Sequence, residues 1–500
     1  MLSEGREIFR KYTDPETFEK IIEFNTFGEM WDRSVREFGE SKAIMDAGTE
    51  YSYAELDRDA AAFRGVLSEA GFSKGDRIGI YAVNSYAFVK VFVAAATAGI
   101  TALIMPPQLD EKTVFGCCMK YGLKGIVYDE VTAPKTQLAS SKFKTVSAAE
   151  EGTAVPAAVT AGEDPCVIMF TGGTTGRSKG ALLSHSALMQ GAVNGCYGYE
   201  EVFGQRYILV LPLSHVFGLV RNLLTSLYTG SELFICRNNK DMFRDIAMFR
   251  PTILVAVPAL LEMAYGLSKQ FGRNMLGDSM KYVIAGAAIV PPYLIREYAK
   301  LGISVFPGYG LTESANLVSG NPDSKNRPES VGLIYPHQEL KFVDGEIWLK
   351  GANIMSGYIG EEEAPFTEDG WFRTGDLGRV DEDGFLYITG RIKEIIVLSN
   401  GENVSPAELE AQFNTCELIQ DSQVFEDVTE SGQHILALEV VPRASEIKKL
   451  GTENPGPAII EALQKINSTL LPYQRVSRIE IRTSDFERTP SMKIVRYKKC

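Results

Sequence analysis

The sequence predicts an α/β protein: a large N-terminal domain of mixed and parallel sheets layered with helices, followed by a small α+β unit. Three observations predict it. Apolar strand-length runs alternate with helix-length runs as far as Ser304 to Phe306, which is the pattern of a sheet covered by helices. After about residue 335 the texture changes to short strands separated by Asp-Gly turns. From Lys393 onward two helix-length and two strand-length runs fit a separate small unit, and 500 residues are too many for one hydrophobic core.

The elements follow in order. Ser52 and Glu55 make an S-x-x-E capping box. Leu56, Ala60, Phe63, Val66 and Leu67 then recur at helical spacing up to Gly71. Arg77 to Ala82 reads as a strand, Ser85 to Ala98 as a largely buried helix and Thr101 to Met105 as a strand. Ala148 to Ala161 is rich in Ala, Thr and Glu and reads as a surface connection. Further strands are expected at Cys166 to Phe170, Tyr207 to Leu211, Thr252 to Val257, Tyr282 to Ala285 and Ser304 to Phe306. Glu346 to Lys350 and Phe385 to Ile388 are the short strands among the turns Asp344-Gly345, Asp369-Gly370 and Asp383-Gly384. The last unit reads as a helix at Pro406 to Phe413, a strand at His434 to Val441, a helix at Ala458 to Leu470 and a strand at Arg478 to Arg482.

Composition narrows the function. A net charge of −13 argues against a nucleic-acid binder, which would carry a basic face, and leaves a nucleotide site open. The seven cysteines form no CxxC and the four histidines do not cluster with them, so neither a zinc site nor a disulfide framework is expected. Scattered, odd-numbered cysteines suit a reducing cytoplasm. Tyr86 to Met105 is the most apolar stretch, but Lys90 and Gly99 interrupt it, so no integral membrane segment is expected.

The strongest chemical signal is Thr171-Gly172-Gly173-Thr174-Thr175-Gly176-Arg177-Ser178-Lys179-Gly180, directly after an apolar strand. Glycines let the backbone approach a ligand closely. Exposed amides, hydroxyls and a lysine can surround a polyphosphate. The bland alternative is a flexible Gly/Thr turn. The NTPase P-loop is excluded, because Lys179 follows Ser178 rather than a glycine. Further on, Gly308-Tyr309-Gly310-Leu311-Thr312-Glu313 can set an aromatic ring against a flat ligand and offers a hard oxygen for Mg²⁺. Asp376, in Thr374-Gly375-Asp376, can accept from both hydroxyls of a ribose.

Met169 to Gly180 resembles the phosphate loop of the adenylate-forming superfamily: acyl- and aryl-CoA synthetases, peptide-synthetase adenylation domains and beetle luciferases. Six motifs match in that family's order, from about residue 165 to the C-terminus. Leu211 to Gly218 resembles the acid-pocket motif, so the resemblance places His215, Phe217 and Gly218 beside the carboxylate substrate. For His215 alone a satisfied, half-buried histidine is the competing reading, and His185 is expected only to open a helix. By resemblance Tyr309 stacks on adenine, Thr312 contacts the α-phosphate, Glu313 helps hold Mg²⁺, and Gly286 and Ala287 line adenine and acyl group. Asp376 and Arg391 resemble the ribose contacts, Lys393 the interdomain hinge and Gly401 the residue beside the thiol tunnel. Thr489 to Arg496 resembles the C-terminal lysine motif, with Lys493 as the catalytic cation. Met492 stands where the family more often has Gly, and Tyr335 to Gly345 is shorter than the family's usual hairpin. Lys498 and Lys499 read as a solvated tail, and a solvated loop position is the competing reading for Lys393.

The resemblance implies a domain of residues 1–391 that includes a distorted β-barrel-like part, and a mobile domain of residues 392–500. It implies ATP, Mg²⁺ and either coenzyme A or a carrier-protein phosphopantetheine arm. The activity implied is formation of acyl-AMP and its transfer to a thiol, on the way to fatty acid metabolism. The rival readings are an acyl–carrier-protein ligase, a free-standing adenylation domain, and a nucleotide-binding sensor without turnover. Leu211 to Val220 has no Asp or Glu to pair an α-ammonium, so an acid without an α-amino group and with an uncharged tail is expected. Gly286, Ala287, Gly308 and Gly310 are small and read as room for the acyl group.

Overall fold

The computed structural model describes residues 5–171, 179–361, 365–398, 402–429, 434–452, 454–488 and 494–496. Two mostly parallel sheets form the body. In the first, Ser304–Tyr309, Tyr282–Ala285, Ile253–Ala256, Arg206–Leu209, Glu232–Ile235 and Lys42–Asp46 run parallel in that order. Antiparallel strands close both edges, giving nine among the described residues. In the second, of seven strands, Pro165–Phe170, Thr101–Met105, Arg77–Tyr81, Gly125–Tyr128 and Lys144–Ser147 are parallel. Gly180–Ser184 and Gly357–Tyr358 are antiparallel on its edge.

Burial explains the strand sequences. Thr101–Met105 is covered on both faces and every one of its residues is buried, so it reads as an unbroken apolar run rather than an alternating one. The helix beside it, Tyr86–Thr97, starts where the Ser85 hydroxyl accepts from the Phe88 amide. Ser52 and Glu55 close the expected capping box at the head of Tyr53–Glu69. The stretch from Ala148 to Ala161 lies on that helix, held by the Arg64 side chain donating to the Val155 carbonyl at 2.7 Å.

Gln338–Val343, Glu346–Gly351, Phe372–Val380 and Leu386–Arg391 form a four-stranded antiparallel sheet. Asp344 (φ 51°) and Gly345 (φ 80°) make the first hairpin as tight as two left-handed residues allow. The outer strands do not pair with each other, so the barrel-like part expected from the resemblance is an open sheet.

The main core runs from Phe9 to Leu386. A separate one, Val404 to Val476, lies under the small sheet of Ile419–Val428, His434–Pro442 and Arg478–Ile481. Helices Pro406–Phe413 and Gly456–Thr469 cover it. Sequence patterning missed Ile419–Val428, whose register slips between Ile419 and Asp421. It also missed the helices Pro258–Phe271 and Pro292–Lys300.

Candidate active site

Open α/β sheets bind ligands beyond the carboxyl ends of their strands, and the predicted motifs gather there. Thr171 follows Pro165–Phe170, His215 comes after Arg206–Leu209, Gly286 follows Tyr282–Ala285, and Tyr309 ends Ser304–Tyr309. All line one cleft of about 2860 Å³. The small unit closes its other side with Glu410, Asp421, Arg443 and Arg488.

At one corner the Thr171 amide donates to the Lys179 carbonyl at 2.9 Å. Phe170 pairs with Gly180 in the adjoining strands. Gly172, Gly173, Thr174, Thr175 and Gly176 lie outside the described residues. Lys179 Nζ stands 4.9 Å over the Tyr358 ring and 4.0 Å from the Glu361 carboxylate. The Tyr358 hydroxyl donates to Glu313 Oε1 at 2.6 Å. Burial and the Glu313 carboxylate hold the Tyr358 phenol well above its ordinary pKa, so it stays a donor. Thr312 and Glu313 sit on the 3-10 turn Thr312–Ser314, followed by left-handed Ala315 and Asn316.

Opposite, Asp376 and Arg391 face each other across antiparallel strands. Arg391 Nε lies 2.8 Å from Asp376 Oδ1, and the buried Tyr309 hydroxyl donates to Oδ2 at 2.7 Å. Burial, and then the Asp376 charge, push the Tyr309 pKa far up.

On the third side, His215 Nδ1 accepts from the Phe217 amide at 3.2 Å, and Phe217 opens a π-helical segment, Phe217–Leu224. A side chain on Gly286 would reach 3.4 Å from the Phe217 ring and from the Gly308 carbonyl. Gly286, Gly308 and left-handed Ala287 (φ 67°) do line the cleft. Two expectations need correction. Gly310 lines the cleft but leaves no room, because a Cβ there would fall 1.3 Å from the Asn316 carbonyl oxygen. Gly218 is not among the residues lining the cleft; its missing side chain admits the Pro212 carbonyl, 2.4 Å from where a Cβ would stand.

The AMP-binding enzyme family model matches residues 31–359, and the model of that family's C-terminal domain matches residues 393–499. The chain is an AMP-binding enzyme. It is 34% identical over 309 residues to the indoleacetate–CoA ligase of Aromatoleum aromaticum, a match spanning 58% of this chain and 60% of that relative. It is 28% identical over 505 residues to 4-coumarate–CoA ligase-like 6 of Arabidopsis thaliana, covering 91% and 86% of the two chains. Among solved structures, the anthranilate CoA ligase AuaEII in complex with anthranoyl-AMP superposes with a TM-score of 0.83 at 19% identity, covering 95% and 96%. ATP-bound MatB from Rhodopseudomonas palustris superposes at 0.82 and 24% identity, covering 93% and 97%.

In this AMP-binding enzyme, Lys393 is exposed on the 3-10 turn Ile392–Glu394 and reaches the cleft rim. Gly401, Lys493, Lys498 and Lys499 lie outside the described residues. Arg488 and Ile494, which bracket Lys493, pair with one another and line the cleft. Tyr358 was missed, because a two-residue strand carries no periodic signal. Arg443 was missed as well. It reaches from the small unit to the Tyr293 hydroxyl at 2.6 Å, and that hydroxyl donates to Glu262 at 2.7 Å. His185 is the first residue of helix His185–Asn194 and is fully buried, away from the cleft. Among the described residues no helix is long and apolar enough to cross a membrane, and no three His, Cys, Asp or Glu side chains converge as a metal cage.

Proposed function

We propose that the protein activates a carboxylic acid as its acyl-adenylate and transfers the acyl group to coenzyme A. The observation that carries this reading is the convergence on one cleft of Thr171 and Lys179, Glu313, and Asp376 held between Tyr309 and Arg391. A carboxylate is a poor acyl donor. Its oxygen attacks the α-phosphorus of ATP, the bond to the bridging oxygen breaks, and pyrophosphate leaves. The thiol sulfur then attacks the acyl carbon, AMP leaves, and the thiol proton passes to solvent. No side-chain nucleophile is needed, so catalysis is positioning and charge stabilisation.

The roles follow from chemistry and from the family resemblance. Asp376 and Arg391 take the ribose, and Tyr309 the adenine. Thr312 meets the α-phosphate, while Thr171, residues 172–176 and Lys179 take the other phosphates. Lys493 supplies the cation where carboxylate and α-phosphate meet. His215, Phe217, Gly286 and Gly308 border the acid, and Gly401 the thiol. A single carboxylate, Glu313, suits a Mg²⁺ ion held mainly by phosphate oxygens, and its Oε1 is fixed by Tyr358. The ion would neutralise phosphate charge. The division at residues 391 and 392, with Lys393 as pivot, lies in the gap between the two cores.

Relatives named for indoleacetate, 4-coumarate and long-chain fatty acids differ in the acid and share the thiol, which favours coenzyme A over a carrier-protein arm. The test is acid-dependent pyrophosphate release across aliphatic and aromatic acids, with and without coenzyme A. Stoichiometric release without the thiol and turnover with it are expected. Release with no acid in the panel, or turnover only with a loaded carrier protein, would overturn the assignment.

A further inference from the structure

Behind the acid-binding side of the cleft lies a recess of about 10 Å³, close to the least space that holds one oxygen atom or water. Ile284, Gly308 and Leu317 line both spaces. At Gly308, which pairs with Gly320 in the sheet, the dividing wall carries no side chain.

Arg221 lines the far side of this recess. It lies four residues after Phe217 on the π-helical segment and is 1% exposed. Its Nη2 donates to the Tyr199 hydroxyl at 3.0 Å, Nη1 makes no close hydrogen bond among the described residues, and the buried Tyr207 hydroxyl also faces the guanidinium. The buried Tyr197 hydroxyl also lacks a partner among the described residues, and Tyr197 lines the same recess. Tyr335 also lines the recess, its hydroxyl beside Gly320, and the Asn321 amide and Ser319 hydroxyl there are spent. Asn321 donates to the carbonyls of Arg327 and Ser330 and accepts from the Asp323 amide, and the Ser319 hydroxyl donates to the Val331 carbonyl. Among the described residues no carboxylate lines the recess. A guanidinium stays charged at any working pH. Burying one without an anion is costly, and the cost is offset when a ligand brings the anion. π-Helical insertions also recur at functional sites.

We infer that Arg221 reads the far end of the acid. Resting on the acid-activating reading above, the substrate carries a second carboxylate. One of its oxygens reaches through the wall beside Gly308 and takes hydrogen bonds from Arg221 Nη1 and the Tyr197 hydroxyl. The reacting carboxylate stays on the His215 side. This replaces the expectation of an uncharged tail, which rested on the lack of acidic residues from Leu211 to Val220. That lack disfavours an ammonium and is silent about a second carboxylate. Arg221 is the next residue along.

The test pairs straight-chain monocarboxylates with α,ω-dicarboxylates of equal length. Each pair is measured by pyrophosphate release and by calorimetric binding, on the wild type, Arg221→Met, Arg221→Lys and Tyr197→Phe. At one chain length the wild type should favour the dicarboxylate about 10- to 100-fold in kcat/KM, the range of a hydrogen bond to a charged group. Arg221→Met should erase that ratio, Arg221→Lys keep part of it, and Tyr197→Phe reduce it severalfold. If Arg221→Met does not fold, the other two variants decide. Equal use of both acids at every length, or a preference unchanged by the variants, overturns the inference and leaves the recess to a water. Failure of the two readings looks different. Pyrophosphate release with monocarboxylates alone sinks the Arg221 site only. Dicarboxylate binding that depends on Arg221, without pyrophosphate release from any acid, sinks the activation chemistry and keeps the site.

Discussion

Tyr309 donates its phenolic hydrogen to Asp376 at 2.7 Å across 67 residues of sequence. The carboxylate's other oxygen lies 2.8 Å from Arg391. Both partners fix the orientation of a side chain only 3% exposed. Tyr309→Phe should therefore raise the KM for ATP about two- to tenfold, less than the full worth of a hydrogen bond to a charged group because Arg391 still holds the carboxylate, with little change in kcat. Asp376→Ala also strands Arg391 and should cost roughly 10- to 100-fold. Steady-state kinetics in ATP check both, and an unchanged KM in Tyr309→Phe would remove the orienting role.

Local rules were legible in the sequence because they are satisfied locally. Ser52 and Glu55 cap one helix within four residues, and Asp344-Gly345 turns one hairpin. The motif order marked the cleft because Thr171, His215, Gly286 and Tyr309 lie at or just past strand ends, whereas Asp376 lies within a strand. What could not be read depends on residues far apart in the chain. Tyr358 meets Glu313 only because its short strand pairs with Ala181. That Arg221 meets tyrosine hydroxyls and no carboxylate among the described residues is set by segments distant in the chain. Gly310 was noticed for its size, but the reason for that size is the Asn316 carbonyl.

That reason makes a stability prediction. In Gly310→Ala the new Cβ would stand 1.3 Å from a backbone oxygen, so the turn after Tyr309 must shift. A loss of about 3 kcal/mol or more is expected from such overpacking. Gly266, within helix Pro258–Phe271, meets nothing within 4 Å. Gly266→Ala should instead stabilise by about 0.5–1 kcal/mol. Denaturant unfolding of both variants measures the contrast.

His185 predicts a pH dependence. Burial pushes its pKa down to about 4 from 6.5. Its Nδ1 accepts from the Phe27 amide at 3.3 Å, so the neutral form is the one that fits. The unfolded chain takes up a proton below pH 6.5 and the folded chain does not until about 4, so stability is lost as pH falls through that window. Between pH 6.5 and 5.5 the loss attributable to this group is about 1 kcal/mol. His185→Gln should flatten that part of the stability–pH curve. An unchanged slope would mean that another group carries it.

Lys493 tests the chemistry of the first half-reaction. Removing a charge-assisted contact at a transition state costs about 10²–10³ in rate. Lys493→Ala should slow acyl-adenylate formation by about that factor and spare thioester formation from preformed acyl-adenylate. Arginine should rescue incompletely, since its planar fork differs from a compact ammonium. Lys498→Ala and Lys499→Ala should do little. Normal adenylation in Lys493→Ala would withdraw the assignment.

Lys393 tests the second half-reaction. The main core ends at Leu386 and the small one begins at Val404, so Lys393 sits in the span between the two cores, where the proposed pivot lies. Its turn is tied to the small unit, since Glu394 pairs with Arg496 at 3.1 Å. In the present arrangement the small unit is also held to the large one by Arg443 on Tyr293. A rotation between half-reactions must break that contact and change the backbone angles near residue 393. Proline locks φ near −65°. Lys393→Pro should therefore leave pyrophosphate release intact and lower thioester formation, by roughly tenfold or more where the domain step limits turnover. A loss falling equally on both half-reactions would place the pivot elsewhere. Lys393→Ala separates the two causes: it removes the charge but keeps the rotation free, so it should leave both steps near the wild-type rate.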